Sequence, residues 1–153
     1  MTFIYFLNLN WAGANPHARI VAEDKAGNYF TYSDLSDTSG KSSIKAEAYK
    51  KITYKNIYPG IDAEYTFPEN KGGIKYAFIL HPGADPDLIQ MQYEGAESIK
   101  ADAEGNINIR SSFGNFTDHA PVVYDDGGAS IKSFFVLKNN TVSFHLDNYD
   151  KNK

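Results

Sequence analysis

The chain has 153 residues and a formal charge of −4, and 42% of its residues are apolar and 22% charged. This length and ordinary composition predict one soluble, folded domain spanning residues 1–153. The charges are scattered rather than grouped into a basic stripe, which argues against a nucleic-acid partner. There is no cysteine, so disulfides, thiolate nucleophiles and cysteine-based metal sites are excluded.

The opening MTFIYFLNLN has a short apolar run without a basic start or a small-residue cleavage pattern. It therefore predicts neither a signal peptide nor a membrane span, and we expect no membrane insertion. If the natural protein is exported, its signal lies upstream. We expect the segment to form a first strand with an exposed edge. Further on, residues 18–22 and 28–32 flank the turn-like Lys25-Ala26-Gly27, which predicts a hairpin.

Strict alternation of apolar and polar residues begins after residues 33–43. That stretch is polar and serine-rich, which predicts a long loop. This loop contains Gly40-Lys41-Ser42, but Leu35 stands where a phosphate-binding loop needs glycine, so we predict a flexible turn there. The alternation then predicts half-buried strands. They cover residues 44–54, 61–67, 74–80 and 89–94.

The second half continues the same pattern. Ile99 and Ala101 face Ile107 and Ile109 across a turn, and a last hairpin is predicted around residues 138–141. Asp85-Pro86 favours one short helical turn. The sequence thus predicts an all-β fold of antiparallel sheets, packed as a sandwich or a barrel-like meander, with about ten to twelve strands and at most one helical turn.

Few groups of residues in the sequence suggest a catalytic or metal-binding site. Asp62 and Glu64 point to one face of a strand, about 7 Å apart, a spacing compatible with acid–base catalysis of glycoside hydrolysis. Charged residues on one face of a strand more usually form its solvated side. Asp102, Glu104 and Asn106 alternate as calcium ligands do, but the glycine and the distal glutamate are misplaced, and a hairpin turn explains them equally well. The four histidines show no metal-ligand spacing. We expect no cofactor and no metal.

Aromatic residues are abundant, with eleven Tyr and ten Phe. Most tyrosines at apolar-face positions are expected in the core with the hydroxyl at its rim. Tyr49 falls on the charged face of its strand, and Trp11 lies near the start of the chain. These two residues are the candidates for a sugar-stacking platform, with polysaccharide as the partner.

YKNIYPGID, then GIKYAFILHPGADPDLIQMQYEGAESIKADAEGNINI, then HAPVVYDD, form an ordered set of motifs. They resemble a domain of unknown function that precedes SBBP-type β-propeller repeats in large exported bacterial proteins, many of them from Bacteroidetes. The resemblance covers most of the chain. It also implies that the chain is truncated at both ends relative to the family, and that it is secreted or displayed at the cell surface.

The resemblance singles out two elements as scaffolding. In the first, Pro59 sets the corner of a turn and Gly60 accepts a positive φ, while Asp62 is expected to be buried and to accept backbone N–H bonds. In the second, proline and glycine make a similar turn and Asp85 caps the turn that follows. The expected structural residues are Tyr58, Pro59, Gly60, Asp62, Pro82, Gly83, Asp85 and Pro86.

The resemblance and the lack of catalytic motifs favour a non-catalytic structural, adhesion or protein-interaction module, whose partners include neighbouring domains of the parent protein. A carbohydrate-binding module using exposed aromatics is the first alternative, and a glycoside hydrolase-like enzyme the second. A fold class does not by itself name a ligand. Trp11 and Tyr49 on one flat face would favour the carbohydrate-binding module. Two converging carboxylates in a cleft would favour the enzyme.

Overall fold

The computed structural model describes residues 6–33, 43–68, 72–147 and 149–150. Residues 34–42, which hold most of the predicted loop and its Gly40-Lys41-Ser42 sequence, lie outside the described residues. The all-β prediction is confirmed: the described residues form thirteen strands, one more than the expected range, and one 3₁₀ turn, Pro86–Leu88.

The strands are numbered in chain order. They are β1 (Asn8–Trp11), β2 (Arg19–Ser33), β3 (Ser43–Tyr58), β4 (Ile61–Thr66), β5 (Lys75–Leu80), β6 (Gln90–Glu94), β7 (Ser98–Ala101), β8 (Ile107–Ser111), β9 (Gly114–Asp118), β10 (Val123–Tyr124), β11 (Ser130–Ile131), β12 (Ser133–Lys138) and β13 (Thr141–Leu146).

The described residues divide into two compact units. The first contains residues up to Asn15, Tyr58–Gly60 and the chain from Leu80 onward, and the second contains Pro16–Ile57 and Ile61–Ile79. In the first unit the sheets have the strand orders β1-β6-β13-β12, β7-β8-β9 and β10-β11. The second unit is built on the sheet β2-β3-β4-β5. Each of these sheets is open, and none of them closes into a barrel.

Each unit has its own buried residues. In the first unit, Met91 on β6 lies between Trp11 on β1 and Val142 on β13, and both Met91 and Val142 are completely buried. This face of the sheet is apolar, so its burial stabilises the unit. The buried residues of the first unit are Tyr58, Ala84, Pro86, Ile89, Met91, Ile107, Ile109, Ser111 and Val142, and those of the second are Thr53, Ile57, Ile61, Asp62 and Ala63.

Two predicted hairpins form, and the first has the predicted register. Ile99 pairs with Ile109 and Ala101 with Ile107. In the last hairpin, β12 and β13 are joined at Asn139 and Asn140, which have φ values of +51° and +59°. Asparagine tolerates this left-handed backbone better than most residues, which explains the Asn-Asn pair.

The hairpin predicted around Lys25-Ala26-Gly27 is wrong, because β2 continues through these residues and pairs along its length with β3. Lys25 pairs with Tyr49, and Tyr29 with Glu47, so β2 holds two extra residues there. Asp24, just before them, has a φ of +53°. The glycine and its polar neighbours mark a bulge in one long strand, since bulges and turns need the same backbone freedom.

Among the described residues, none of the helical structure is long and apolar enough to cross a membrane.

Candidate functional site

The segment from Tyr58 to Asp62 forms the tight corner between β3 and β4. Gly60 has a φ of +69°, the backbone that the third position of a type II turn requires. Tyr58 is buried, and its hydroxyl donates a hydrogen bond to the Ala12 carbonyl at 3.0 Å. Burial raises the pKa of Tyr58 above its ordinary value.

Asp62 is 2% exposed, and its carboxylate is held by groups on the preceding strand. Oδ1 accepts a hydrogen bond from the Asn56 backbone N–H at 2.7 Å, and Oδ2 lies 2.9 Å from Lys55 Nζ. Asn56 itself has a φ of +52°. The carboxylate therefore satisfies a backbone donor next to an irregularity in β3, which is a common use of a buried aspartate.

Glu64 follows two residues later on β4 and contacts a different lysine, Lys51, at 3.5 Å. Lys51 also lies 3.1 Å from Glu23, and its hydrogen bond with Glu23 is the main cause of a raised Lys51 pKa. Asp62 and Glu64 thus each engage a lysine of β3. This is the pattern of a strand face stabilised by ion pairs.

The second predicted element, Pro82 to Pro86, surrounds the 3₁₀ turn. Gly83 has a φ of +82°, and the Ala84 N–H donates to the His81 carbonyl at 2.9 Å. Asp85 Oδ1 accepts from the Asp87 N–H at 3.1 Å, and Pro86 is the first residue of the turn. Asp85 is thus the N-terminal cap of the turn.

Trp11 and Tyr49 belong to different units, and each is half-buried. Trp11 pairs with the buried Met91, so it points to the core side of its sheet. The Tyr49 hydroxyl donates to Glu47 at 3.1 Å. Glu47 also accepts from Lys25, and that bond is the first cause of its lowered pKa. The sugar-stacking role of these two aromatics stays a prediction.

Asp102 organises the turn between β7 and β8. Its carboxylate accepts hydrogen bonds from the backbone N–H groups of Glu104 and Asn106 and from the side-chain amides of Asn106 and Asn108, at 2.8 to 3.1 Å. The bond from the Asn106 amide is the main reason why the pKa of Asp102 is lowered. The carboxylate of Asp102, one of the groups considered as calcium ligands, thus serves the turn in this structure.

His145 packs its ring 4.6 Å from that of Phe134, and its Nε2 lies 2.9 Å from Asp147. In the part of the chain that the structure describes, no group of three or more His, Asp or Glu side chains is arranged to hold a metal ion.

The outer face of the sheet β1-β6-β13-β12 carries a set of amide and hydroxyl side chains that sequence reasoning missed. A shallow groove of about 420 Å³ lies on it. Its lining residues are Asn10, Gln92, Tyr93, Glu94, Asn139, Asn140 and Thr141. The signal in the sequence was the use of Asn and Gln, rather than Lys and Glu, at alternate positions of residues 8–10 and 90–92.

Tyr93 and Asp118 form a hydrogen-bonded pair in the first unit. The Tyr93 hydroxyl donates to Asp118 Oδ2 at 2.7 Å. Burial, and next the Asp118 charge, raise the pKa of Tyr93 well above its ordinary range. Because the folded state holds the proton more tightly than the unfolded chain, this stabilisation is complete below about pH 10 and is lost as the pH rises above it.

We therefore expect Tyr93→Phe to lower the free energy of unfolding by about 2 kcal/mol at pH 8, since a hydrogen bond to a charged group is lost. The difference from the unsubstituted chain should shrink between about pH 10 and pH 11, because only the unsubstituted chain must ionise Tyr93 on unfolding. Urea titrations at several pH values measure both effects. Tyr124→Phe, at an exposed tyrosine, is the control. A difference that stays constant with pH would contradict the argument.

Together, the open antiparallel sheets and the turn-building side chains define the chain as an all-β module. It belongs to the family described as domain of unknown function DUF7948, whose family model matches residues 3–153 and so spans both units. No curated protein and no solved structure matches the chain.

Proposed function

We propose that the chain is a non-catalytic interaction module of a larger exported, cell-surface protein, in which it precedes SBBP-type β-propeller repeats. The support for this context is the resemblance of the ordered motifs to such domains, in a chain that belongs to the DUF7948 family. In the proposal, the module binds a neighbouring β-rich domain of the parent protein and so serves as a spacer or adhesion element. The uncovered apolar face of the sheet in the second unit is the observation that carries it.

This apolar face follows from the register of β2 and β3. Residues directly opposite each other in an antiparallel pair share a face, and Tyr32 pairs with Ile44, and Phe30 with Ala46. Farther along, Ala22 pairs with Ile52 and Ile20 with Tyr54. The exposed fractions are 59% for Ile20, 55% for Phe30, 60% for Tyr32 and 71% for Ile44. Exposed apolar side chains grouped on one face in this way typically mark a protein-interaction surface.

The opposite face of the same strands is adapted to water. Lys25 lies 2.6 Å from Glu47, Lys51 bridges Glu23 and Glu64, and Lys45 lies 4.0 Å from the centre of the Tyr29 ring. One face therefore carries the ion pairs, and the other is mainly apolar. A sheet with this division is usually covered on its apolar side by a second layer.

The chemistry of the face indicates what covers it. Lys50, between Ala48 and Ile52, shares this face by alternation. The paired positions just described carry no charged side chain, so the surface that contacts them is expected to be apolar as well. Three of the positions on this face, Ala22, Ala46 and Ala48, are small, which leaves room for the side chains of a second sheet packed at about 10 Å. An apolar sheet of the adjoining domain meets these requirements.

We expect Phe30→Ser/Ile44→Ser to change the free energy of unfolding of the isolated chain by no more than about 0.5 kcal/mol, because both side chains are exposed. The variant should lose most of the binding of the apolar dye ANS. Thr31→Ser/Lys45→Ser, on the opposite face of the same strands, is the matched control. A large loss of stability would show that these side chains belong to a core of the chain itself.

Hydroxyl-radical footprinting then compares the isolated chain with the parent protein. Side-chain labelling of Phe30 and Tyr32 should fall at least about fivefold in the parent, while labelling of Tyr29 should change little. Equal labelling of Phe30 and Tyr32 in the two proteins would refute the proposed contact. Protection that depends only on the concentration of the isolated chain would identify a second copy as the occupant instead.

A further inference from the structure

We propose that the outer face of the sheet β1-β6-β13-β12 is a binding site for a neutral oligosaccharide. We call this surface the amide face and define it by Asn8, Asn10, Gln90, Gln92, Thr141 and Ser143. It lies entirely in the first unit and is therefore independent of the proposed apolar contact in the second unit.

The register of three adjacent strands brings these side chains together. Asn10 pairs with Gln92, and Gln92 pairs on its other side with Thr141. Gln90 pairs with Ser143. Since directly opposite residues lie about 5 Å apart on one face, the three strands present a continuous row of amide and hydroxyl groups across the sheet. The groove of about 420 Å³ lies over the end of this row that holds Asn10, Gln92 and Thr141, and it is bordered by the Asn139-Asn140 turn.

The composition of the amide face is not that of an ordinary solvated strand. Asparagine is depleted in strands, yet Asn8 and Asn10 both lie in the four-residue β1. The water-facing side of β2 and β3 in the same chain uses Lys and Glu ion pairs instead. A solvent-exposed role alone therefore does not explain why this sheet uses uncharged amides.

Amide and hydroxyl groups match the chemistry of sugars. Each Asn or Gln side chain both donates and accepts hydrogen bonds, and so does each Ser or Thr hydroxyl. Sugar hydroxyls do the same, so a row of such side chains can bind several hydroxyls of one ligand.

The hydrogen bonds within the groove are long. Gln92 Nε2 lies 3.4 Å from Thr141 Oγ1, and Asn10 Nδ2 lies 3.3 Å from Glu94 Oε2. Hydrogen bonds of this length are weaker than those near 2.9 Å. A ligand hydroxyl can replace them at little cost, because the side chains give up only weak bonds.

The charges around the groove favour a ligand without net charge. Of the residues that line it, Glu94 is the one acidic residue, and none is basic. Lys138 lies on β12 and pairs with Thr141 on β13, so it adds one opposite charge on the same face. One charge of each sign supplies neither the basic cluster that a phosphate or uronate polymer needs nor the several carboxylates that a polycation needs.

The same face ends in an apolar surface at β12. Phe134 pairs with His145, their rings are 4.6 Å apart, and Phe134 is 41% exposed. Ligand sites commonly combine a few convergent polar groups with an aromatic side chain. A ligand that extends from the groove along β13 meets this ring with the apolar side of a sugar.

The test uses the whole chain and four uncharged probes, namely cellohexaose, xylohexaose, mannohexaose and maltohexaose, with hexagalacturonic acid as the charged comparator. Binding is followed by backbone amide chemical-shift changes in two-dimensional NMR spectra. We expect at least one uncharged hexasaccharide to shift the amide signals of β6 and β13, and the charged comparator to leave them unchanged.

The variant Asn10→Ala/Gln92→Ala should weaken that binding about 30-fold, since two amides that contact the ligand are lost. Asn115→Ala, at an exposed asparagine on β9, is the matched control and should bind as the unsubstituted chain does. Thermal unfolding checks that both variants are folded. Phe134→Ala should weaken the binding of the hexasaccharide by about fivefold or more while leaving the disaccharide of the same sugar unaffected.

Each outcome decides the proposal. No shift with any uncharged probe at 10 mM, in a chain shown to be folded, overturns it, as does binding that the Asn10→Ala/Gln92→Ala variant retains in full. Shifts caused by hexagalacturonic acid alone also overturn it, because they would identify an anion site. None of these results bears on the apolar face of the second unit, so the two proposals fail separately.

Discussion

Asp62→Ala is expected to lower the free energy of unfolding by about 3 kcal/mol, because it removes a buried carboxylate that satisfies two donors. The Asn56 N–H, 2.7 Å from Asp62 Oδ1, would lose its partner next to a residue with positive φ. The loss of the ion pair with Lys55 costs less, since the Lys55 side chain is 37% exposed and can be hydrated. The lost backbone hydrogen bond therefore accounts for most of the expected effect.

Two further variants separate the causes. Asp62→Asn keeps an oxygen for the Asn56 N–H but removes the charge that faces Lys55, so we expect an intermediate loss of about 1–2 kcal/mol. Glu64→Ala, on the same face of the same strand, removes an ion pair with Lys51 at 3.5 Å and should cost no more than about 1 kcal/mol. Urea unfolding followed by circular dichroism measures all three.

An unchanged unfolding midpoint in Asp62→Ala would contradict the structural role of this carboxylate. It would then favour the other hypothesis for Asp62, a contact with a ligand. A loss in Glu64→Ala as large as that in Asp62→Ala would instead mean that the ion pairs of this face, rather than the bond to the Asn56 N–H, carry the stability.

Alternation in the sequence was sufficient to locate β3, β4, β5 and β6, because each strand has one apolar and one polar face. It also gave the register of β7 and β8, since Ile99 and Ile109 flank a short turn and local geometry decides such a pairing. These successes depend on contacts between residues that are close in sequence.

The same pattern could not say whether an apolar face is covered. Ile44 was expected on a half-buried face, and it is on the apolar side of β3, but it is 71% exposed. Alternation tells which side of a strand is apolar, and burial depends on a second layer that the strand itself does not encode. The interpretation of Lys25-Ala26-Gly27 as a turn was wrong because a bulge within a strand uses the same residue types as a turn. The local sequence therefore does not distinguish the two.

The amide face was beyond sequence reasoning because it depends on long-range pairing. Asn10 meets Gln92 only because β1 pairs with β6, and Gln92 meets Thr141 only because β6 pairs with β13. Nothing local to any of these strands specifies its neighbours. The unusual feature that could be read locally was asparagine in a strand, and it gained meaning only when the sheet order was known.

The substitution Gly60→Ala tests whether the backbone at the corner between β3 and β4 requires glycine. Gly60 has a φ of +69°, and a Cβ added there would lie 3.3 Å from the Cβ of Ala84. The left-handed backbone costs an L-residue about 1–2 kcal/mol, and the tight contact adds to it because Ala84 is buried. The Gly60 carbonyl also accepts from the His81 N–H at 2.9 Å, so a shift of the turn would weaken this bond.

We therefore expect Gly60→Ala to lower the free energy of unfolding by about 3 kcal/mol, and Gly83→Ala by only about 1–2 kcal/mol. Gly83 is the matched control, since its φ is +82° but a Cβ there would meet nothing within 4 Å. The difference between the two variants, measured by urea unfolding, isolates the contact with Ala84. Equal losses would mean that backbone strain alone makes glycine necessary at this corner, and that the packing of the turn against Ala84 contributes nothing.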